Sequence, residues 1–286
     1  MRFVTALFLW VLTTVLLAVA LPAAWAQTNL VDADGYTAFT RHAAANPALQ
    51  QAVASELATQ IVDLGYSGNE TLLRGVTSAY TASSAFPGQF AQANRFAHQW
   101  MFTNAISSDE DPQGRWVIDL APMLADSSFE QTLNQFGILV PSTLPVPLTE
   151  NASDAIRPGQ LRPVAVWGPW VSVGATILAG VFALLTRAAA RSRGKALAAL
   201  GVSALLVGAA GWAGLEVGRR YVGNALDGTG TGDDVRQIAD AVLLHATDSM
   251  HQWLNLTLAA GGVLVALGVV VAILGGVRER RVQRPG

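Results

Sequence analysis

Few side chains in this sequence have the type and spacing to do chemistry. His245, Asp248 and His251 recur every three residues just before an apolar run. Imidazole and carboxylate groups together suit zinc, and either histidine could then serve an envelope hydrolase. Steps of three and three, however, spread these groups over about 120° of a helix, a poor facial site without ligands from elsewhere. An exposed amphipathic lead-in is the preferred reading. Asp32 with Asp34, and the run Asp109-Glu110-Asp111, offer carboxylate oxygens of the kind calcium takes. Neither has the ligand ladder of an EF-hand, so a capped helix start and a solvated turn are preferred. The stretch Asp227-Gly228-Thr229-Gly230-Thr231-Gly232-Asp233-Asp234 is rich in glycine but lacks lysine and ends in acid. It fails as a phosphate cradle and reads as a connector, with Thr231 or Asp233 capping the next helix. No serine sits in a G-x-S-x-G turn, and Asn69-Glu70-Thr71 fits a glycosylation sequon in form only. The absence of cysteine excludes disulfides, thiolate metal sites and thiol nucleophiles. No catalytic residue and no cofactor is assigned, and a non-enzymatic role is favoured.

The elements that would position such groups are mostly apolar. Of 286 residues 51% are hydrophobic and 13% charged, about half the charged share of a soluble chain. Four runs are long enough to cross a bilayer: Phe3–Ala24, Val164–Thr186, Ala196–Leu215 and Trp253–Val277. Residues 187–195, with Arg187, Arg191, Arg193 and Lys195, form a short basic turn, and residues 278–286 a basic tail. The positive-inside rule places both in the cytoplasm, together with the N-terminus. Residues 27–163 and the loop 218–252 are then expected outside, although Arg219 and Arg220 run against the rule. The first run is expected to be a retained signal anchor; its rival is a signal peptide cleaved after Ala26. No ionisable side chain lies near the middle of any run, which argues against ion-coupled transport. Small residues recur instead, at Ala175, Ala179 and Ala183, at Ala204 and Gly208, and at Gly211, Gly214 and Gly218. Gly261, Gly262, Gly268 and Gly275 mark the fourth run. Such faces let helices approach closely, within one chain or between copies as a homo-oligomer.

Residues 27–163 carry thirteen acidic residues against six arginines, a local charge of −7 without a basic stripe, so nucleic acid is excluded as a partner. Asn46-Pro47 reads as a helix start, followed by an apolar stripe at Leu49, Val53, Leu57, Ile61 and Leu64. Further helices are expected over Thr71–Ser83, after Pro87-Gly88 and over Pro122–Phe136. The second of these should bury Phe90, Ala93, Ala97 and Met101, with Phe96 and Trp100 beside them. An acidic turn, Asp109–Gly114, leads to a strand at Trp116–Leu120. Short extended pieces follow at Ile138–Val140 and Val146–Leu148; strand, helix, strand permits a two-stranded parallel pairing at an edge. The expected fold is a mainly α membrane protein. It has an anchor (1–26), a mostly helical extracytoplasmic domain with a minor two-stranded sheet (27–163), and a three-helix region (164–286).

Three stretches carry a resemblance: Trp25-Ala26-Gln27-Thr28-Asn29-Leu30-Val31-Asp32-Ala33-Asp34-Gly35-Tyr36, Asn46-Pro47-Ala48-Leu49-Gln50-Gln51-Ala52-Val53-Ala54, and Val117-Ile118-Asp119-Leu120-Ala121-Pro122-Met123-Leu124. With three C-terminal spans they resemble a broad group of uncharacterised actinobacterial integral membrane proteins. The resemblance implies the topology and a plasma-membrane location, and it brings no activity and no catalytic residues. The leading expectation is a cell-envelope scaffold or accessory subunit whose extracytoplasmic domain binds a protein or lipid partner. The alternative is a lipid or small-molecule binder or transporter, its site between that domain and the membrane helices and its cavity lined by Phe90, Trp100 and Trp116.

Overall fold

The computed structural model describes residues 2–63, 70–103, 108–110, 116–119, 145–147, 158–190, 192–227 and 233–282. Helix α1 (Arg2–Ala26) runs into one π-helical turn (Gln27–Val31), followed by α2 (Ala33–Ala43), α3 (Pro47–Asp63), α4 (Glu70–Thr81) and α5 (Phe86–Phe102). Strands β1 (Ser108–Glu110), β2 (Trp116–Asp119) and β3 (Pro145–Pro147) come next, then α6 (Arg162–Ala189), α7 (Arg193–Asp227) and α8 (Asp233–Val282). The chain is mainly α, and four of its helices are long and apolar enough to cross a membrane by length and composition: Val4–Val31, Arg162–Ala189, Arg193–Tyr221 and Asp233–Leu274. It divides into two compact units. The apolar unit comprises Met1–Ala26, Pro169–Ala225 and Ala246–Gly286; the mixed unit comprises Gln27–Gly168 and Leu226–His245.

In the apolar unit, α7 and α8 pack through glycines seven residues apart. A Cβ at Gly201 would lie 2.6 Å from the Gly261 carbonyl and 2.7 Å from the Val265 nitrogen; one at Gly194 would lie 2.6 Å from the Gly268 carbonyl. Gly208 meets Leu258 one heptad further on. A strict seven-residue repeat keeps one face in register along a left-handed pair, and here that face is backbone. The small-residue faces are therefore internal at Gly194, Gly201, Gly208, Gly211, Gly261 and Gly268, whereas Gly174, Gly180, Gly214, Gly218 and Gly262 have nothing within 4 Å of the Cβ position. Helix α1 is tied to the other three by side chains. Trp10 Nε1 donates to the Ala199 carbonyl at 2.8 Å, and Thr14 Oγ1 donates to Ser203 Oγ at 2.8 Å. Thr13 and Thr186 hydroxyls meet at 3.4 Å, and Trp25 Nε1 donates to Ser249 Oγ at 3.1 Å. Ser172, Ala179 and Thr186 repeat the heptad on the buried face of α6, while Val173, Ile177 and Leu184 point out. Such a surface suits hydrocarbon.

The mixed unit is built differently. Asn46 Oδ1 accepts from the Ala48 amide at 2.9 Å, and Pro47 opens α3, as the sequence predicts. The buried face of α3 is Leu49, Ala52, Ala54 and Ala58, so it is broader than the predicted stripe, whose Val53, Leu57 and Ile61 are only half-buried. Its core joins Ala43, Leu49 and Ala241, with Val53, Phe90, Ile238 and Val242 against them. The first turns of α8 thus complete this core, where the sequence placed them in a separate loop. Helix α5 buries Phe86, Gln89, Ala91, His98 and Trp100. The predicted stripe fails at Ala97, which is exposed, because α5 is covered on more than one side.

The expected two-stranded parallel sheet is replaced by three short antiparallel strands in the order β1-β2-β3. Ser108 and Val146 flank Ile118 from either side. Residues 108–110, expected in part as a turn, supply the third strand. Pro145 and Pro147, two residues apart, lack their N–H groups on the same side of the strand, and β3 accordingly takes an edge. The helix predicted over Pro122–Phe136 and the extended piece Ile138–Val140 lie outside the described residues.

Candidate functional site

Buried polar atoms without a partner among the described residues lie on the π turn and on α5. Helix α1 ends by widening: the Asp32 amide donates to the Gln27 carbonyl, five residues back, at 2.9 Å. Asp32 then turns extended and caps α2, its carboxylate accepting from the Gly35 amide at 2.8 Å. Gly35 must be glycine, since a Cβ there would collide with the Thr28 carbonyl. Single π turns are rare and concentrate at functional sites. Here the turn leaves the Leu30 carbonyl facing α5, where His98 Nε2 lies 3.0 Å away. A carbonyl only accepts, so Nε2 carries the proton and Nδ1 presents a lone pair. The His98 side chain is 6% exposed, and its Nδ1 has no hydrogen-bond partner among the described residues.

The ring is held on two sides. Phe102 stacks on it at 4.2 Å between centroids, and Tyr36 leans against it at 4.9 Å. The Tyr36 hydroxyl donates to Asn94 Oδ1 at 3.3 Å, and burial raises its pKa above the ordinary phenol value, so it stays protonated. Burial lowers the pKa of His98, outweighing the opposing pull of the Leu30 and Val31 carbonyls and of Asp32; Arg95 adds to the lowering. Arg95 is itself paired with Asp34 at 2.7 Å. Gln27 Oε1 and Trp100 Nε1 are two further buried polar atoms without a partner among the described residues. A Cβ at Gly168 would come within 2.6 Å of Gln27 Oε1, so the first turns of α6 close over the π turn.

The residues singled out from the sequence are placed elsewhere. His245 packs on Phe39 at 4.8 Å between centroids in the mixed unit, whereas His251 stacks on Trp212 at 3.7 Å in the apolar unit. Asp248 between them is exposed. Among the described residues no group of three His, Asp or Glu is arranged to hold a metal ion. Asp32 and Asp34 act as a helix cap and an ion-pair partner, a sufficient account of both. Asp109 and Glu110 belong to β1, and Asp111, Asn69 and Thr231 lie outside the described residues. Asp233 is the first residue of α8 rather than its cap. Of the three proposed cavity-lining residues, Phe90 packs against the core and against Phe86, and Trp100 is buried. Trp116 lies in β2.

His98 was legible only as one histidine of four. Its signal was position: a histidine on the same face as Arg95 and Phe102 of a helix whose neighbours are aromatic. Comparison with protein-family models, curated proteins and solved structures finds no match.

Proposed function

We propose that this chain is a plasma-membrane protein that anchors a partner-binding unit outside the cytoplasm, as a cell-envelope scaffold or accessory subunit. The observation that carries the reading is the two-sided character of α4. Leu73, Thr77 and Thr81 are buried, while Thr71, Leu72, Gly75, Val76 and Ala79 line a shallow apolar groove on the opposite side. Val76 is 51% exposed there. A contiguous apolar strip on a helix within an acidic unit is the kind of surface that a partner's apolar face covers. The apolar unit supports the anchoring half of the reading. Helices α6, α7 and α8 carry Trp170, Trp212 and Trp253 toward one end, and α6 and α7 carry Arg187, Arg193 and Lys195 toward the other, in keeping with an aromatic outer interface and a basic cytoplasmic one. The exceptions, Arg219 and Arg220, have their charge answered by Glu216 at 3.4 and 2.9 Å. Hydrogen bonds from α1 to each of the other three helices favour retention of the first helix over its cleavage.

The reading as a lipid or small-molecule binder places a cavity beside Phe90, Trp100 and Trp116; Phe90 is half-buried against the core and Trp100 is buried, which favours the first reading. Affinity purification of the full-length protein from gently solubilised membranes tests the proposal. A partner that co-purifies with the wild type and is lost with Val76→Asp supports it. A lone species in both preparations, or an unchanged partner set, sinks it.

A further inference from the structure

Among the described residues the neutral His98 ring makes one hydrogen bond, from Nε2 to the Leu30 carbonyl, and thereby joins α5 to the end of the π turn. The other ring nitrogen is buried and has nothing to accept or donate among the described residues. A second proton would therefore create an N–H donor without an acceptor among the described residues, on an imidazolium enclosed by Phe102 and Tyr36. The charges that face it are few. Asp32, at the start of α2, favours the imidazolium; Arg95, one turn back on α5, opposes it and is held in place by Asp34. Tyr36 contributes no charge.

We propose that His98 is a proton-operated latch: the neutral imidazole holds the π turn against α5, and protonation at Nδ1 releases it. The direction follows from linkage. The released histidine titrates near 6.5, and the buried one lower. Below about pH 6.5 the released state binds more protons, so closure weakens by roughly tenfold per pH unit until the closed state's own pKa is reached. Above that pH the latch has its full strength. The device would make the Gln27–Tyr36 segment responsive to acidification of the compartment it faces, with no change in the core around Leu49.

Hydrogen exchange read by mass spectrometry on the full-length protein in lipid nanodiscs tests this. With exchange corrected for the intrinsic pH effect, segments 27–43 and 95–103 are expected to open about fivefold more at pH 5.5 than at pH 6.5, while 49–58 stays constant. His98→Gln keeps a donor for the Leu30 carbonyl but cannot titrate, and should abolish the pH response; His98→Phe lacks the donor and should be open at every pH. A wild type that is flat with pH, or a His98→Gln protein that keeps the response, overturns the proposal. An NMR titration of His98 in the wild type gives a second test that needs no substitution: a pKa at or above 6.5 also overturns it.

Discussion

The two units bury their helices by opposite means. In the apolar unit much of the α7–α8 contact is backbone: Gly194, Gly201, Gly261 and Gly268 leave no room for a side chain, Leu254 and Leu258 fit against Gly211 and Gly208, and hydroxyl and indole bonds cross between helices. In the mixed unit the contact surface is side chain: Leu49, Phe86, Phe39 and Trp100 fill the interior, and buried polar atoms of Gln27, His98 and Trp100 have no partner among the described residues. The difference follows from the solvent each composition suits. Where hydrocarbon surrounds the helices, apolar burial gains nothing, so close approach and dispersion must hold them together. Where water surrounds them, apolar area removed from water does the work, and residual polar strain can be tolerated.

The largest expected effect tests whether the mixed unit is complete without its remote segment. Ile238, Ala241 and Val242 come from the first turns of α8, far in sequence from Ala43 and Leu49. A fragment of residues 27–168 alone is expected to lack a cooperative thermal transition, read by circular dichroism. Adding a peptide of residues 228–247 should restore it, and a fragment that melts cooperatively by itself would break the comparison. Next in size is Leu49→Ala, at a fully buried position, expected to cost about 2–5 kcal/mol in the mixed unit. Its counterpart in the apolar unit is Gly201→Ala, which forces α7 and α8 apart and should cost about 1–3 kcal/mol. Gly214→Ala, on the same helix with open space around it, should be neutral or mildly stabilising. Equal losses at Gly201 and Gly214, measured by denaturation in the same detergent, would show that backbone contact is not what holds the pair.

Part of this contrast was legible in the sequence. Length and hydropathy give the four long apolar helices, and Asn46-Pro47 gives the start of α3, because these are local signals of one helix each. Small-residue spacing announced close approach but not its register; only the pairing of Gly201 with Gly261 shows which glycines are internal. The α5 stripe failed because a helix covered on several sides has no single periodic face, so Ala97, expected inside, is exposed while His98 beside it is buried. The sheet is antiparallel and gains a third strand for a related reason: Ser108–Glu110 is acidic and three residues long, and strand pairing partners are not written in local propensity. The role of His98 was not legible beyond its position on the face of Arg95 and Phe102, because nothing in its neighbourhood along the chain records that a widened turn some seventy residues away leaves a carbonyl facing it.

The smallest effects concern the two aspartates that follow the π turn, and they separate a backbone role from a charge role. Asp32 accepts from the Gly35 amide, so Asp32→Ala removes a helix cap and should cost about 1 kcal/mol. Asn caps a helix nearly as well as Asp, so Asp32→Asn should lose only a few tenths of that. It should also lower the His98 pKa further, since the carboxylate is among the groups that favour the imidazolium. The Asp34–Arg95 pair is short, but the Asp34 side chain is 84% exposed, and water screens most of its attraction. Arg95→Gln is therefore expected to change stability by less than about 0.5 kcal/mol in either direction. The same substitution removes a positive charge beside His98, so the histidine should titrate higher and the acid response should level off nearer neutral pH. A double-mutant cycle of Asp34 and Arg95 that returns more than about 1 kcal/mol would mean the pair is better shielded than its exposure indicates.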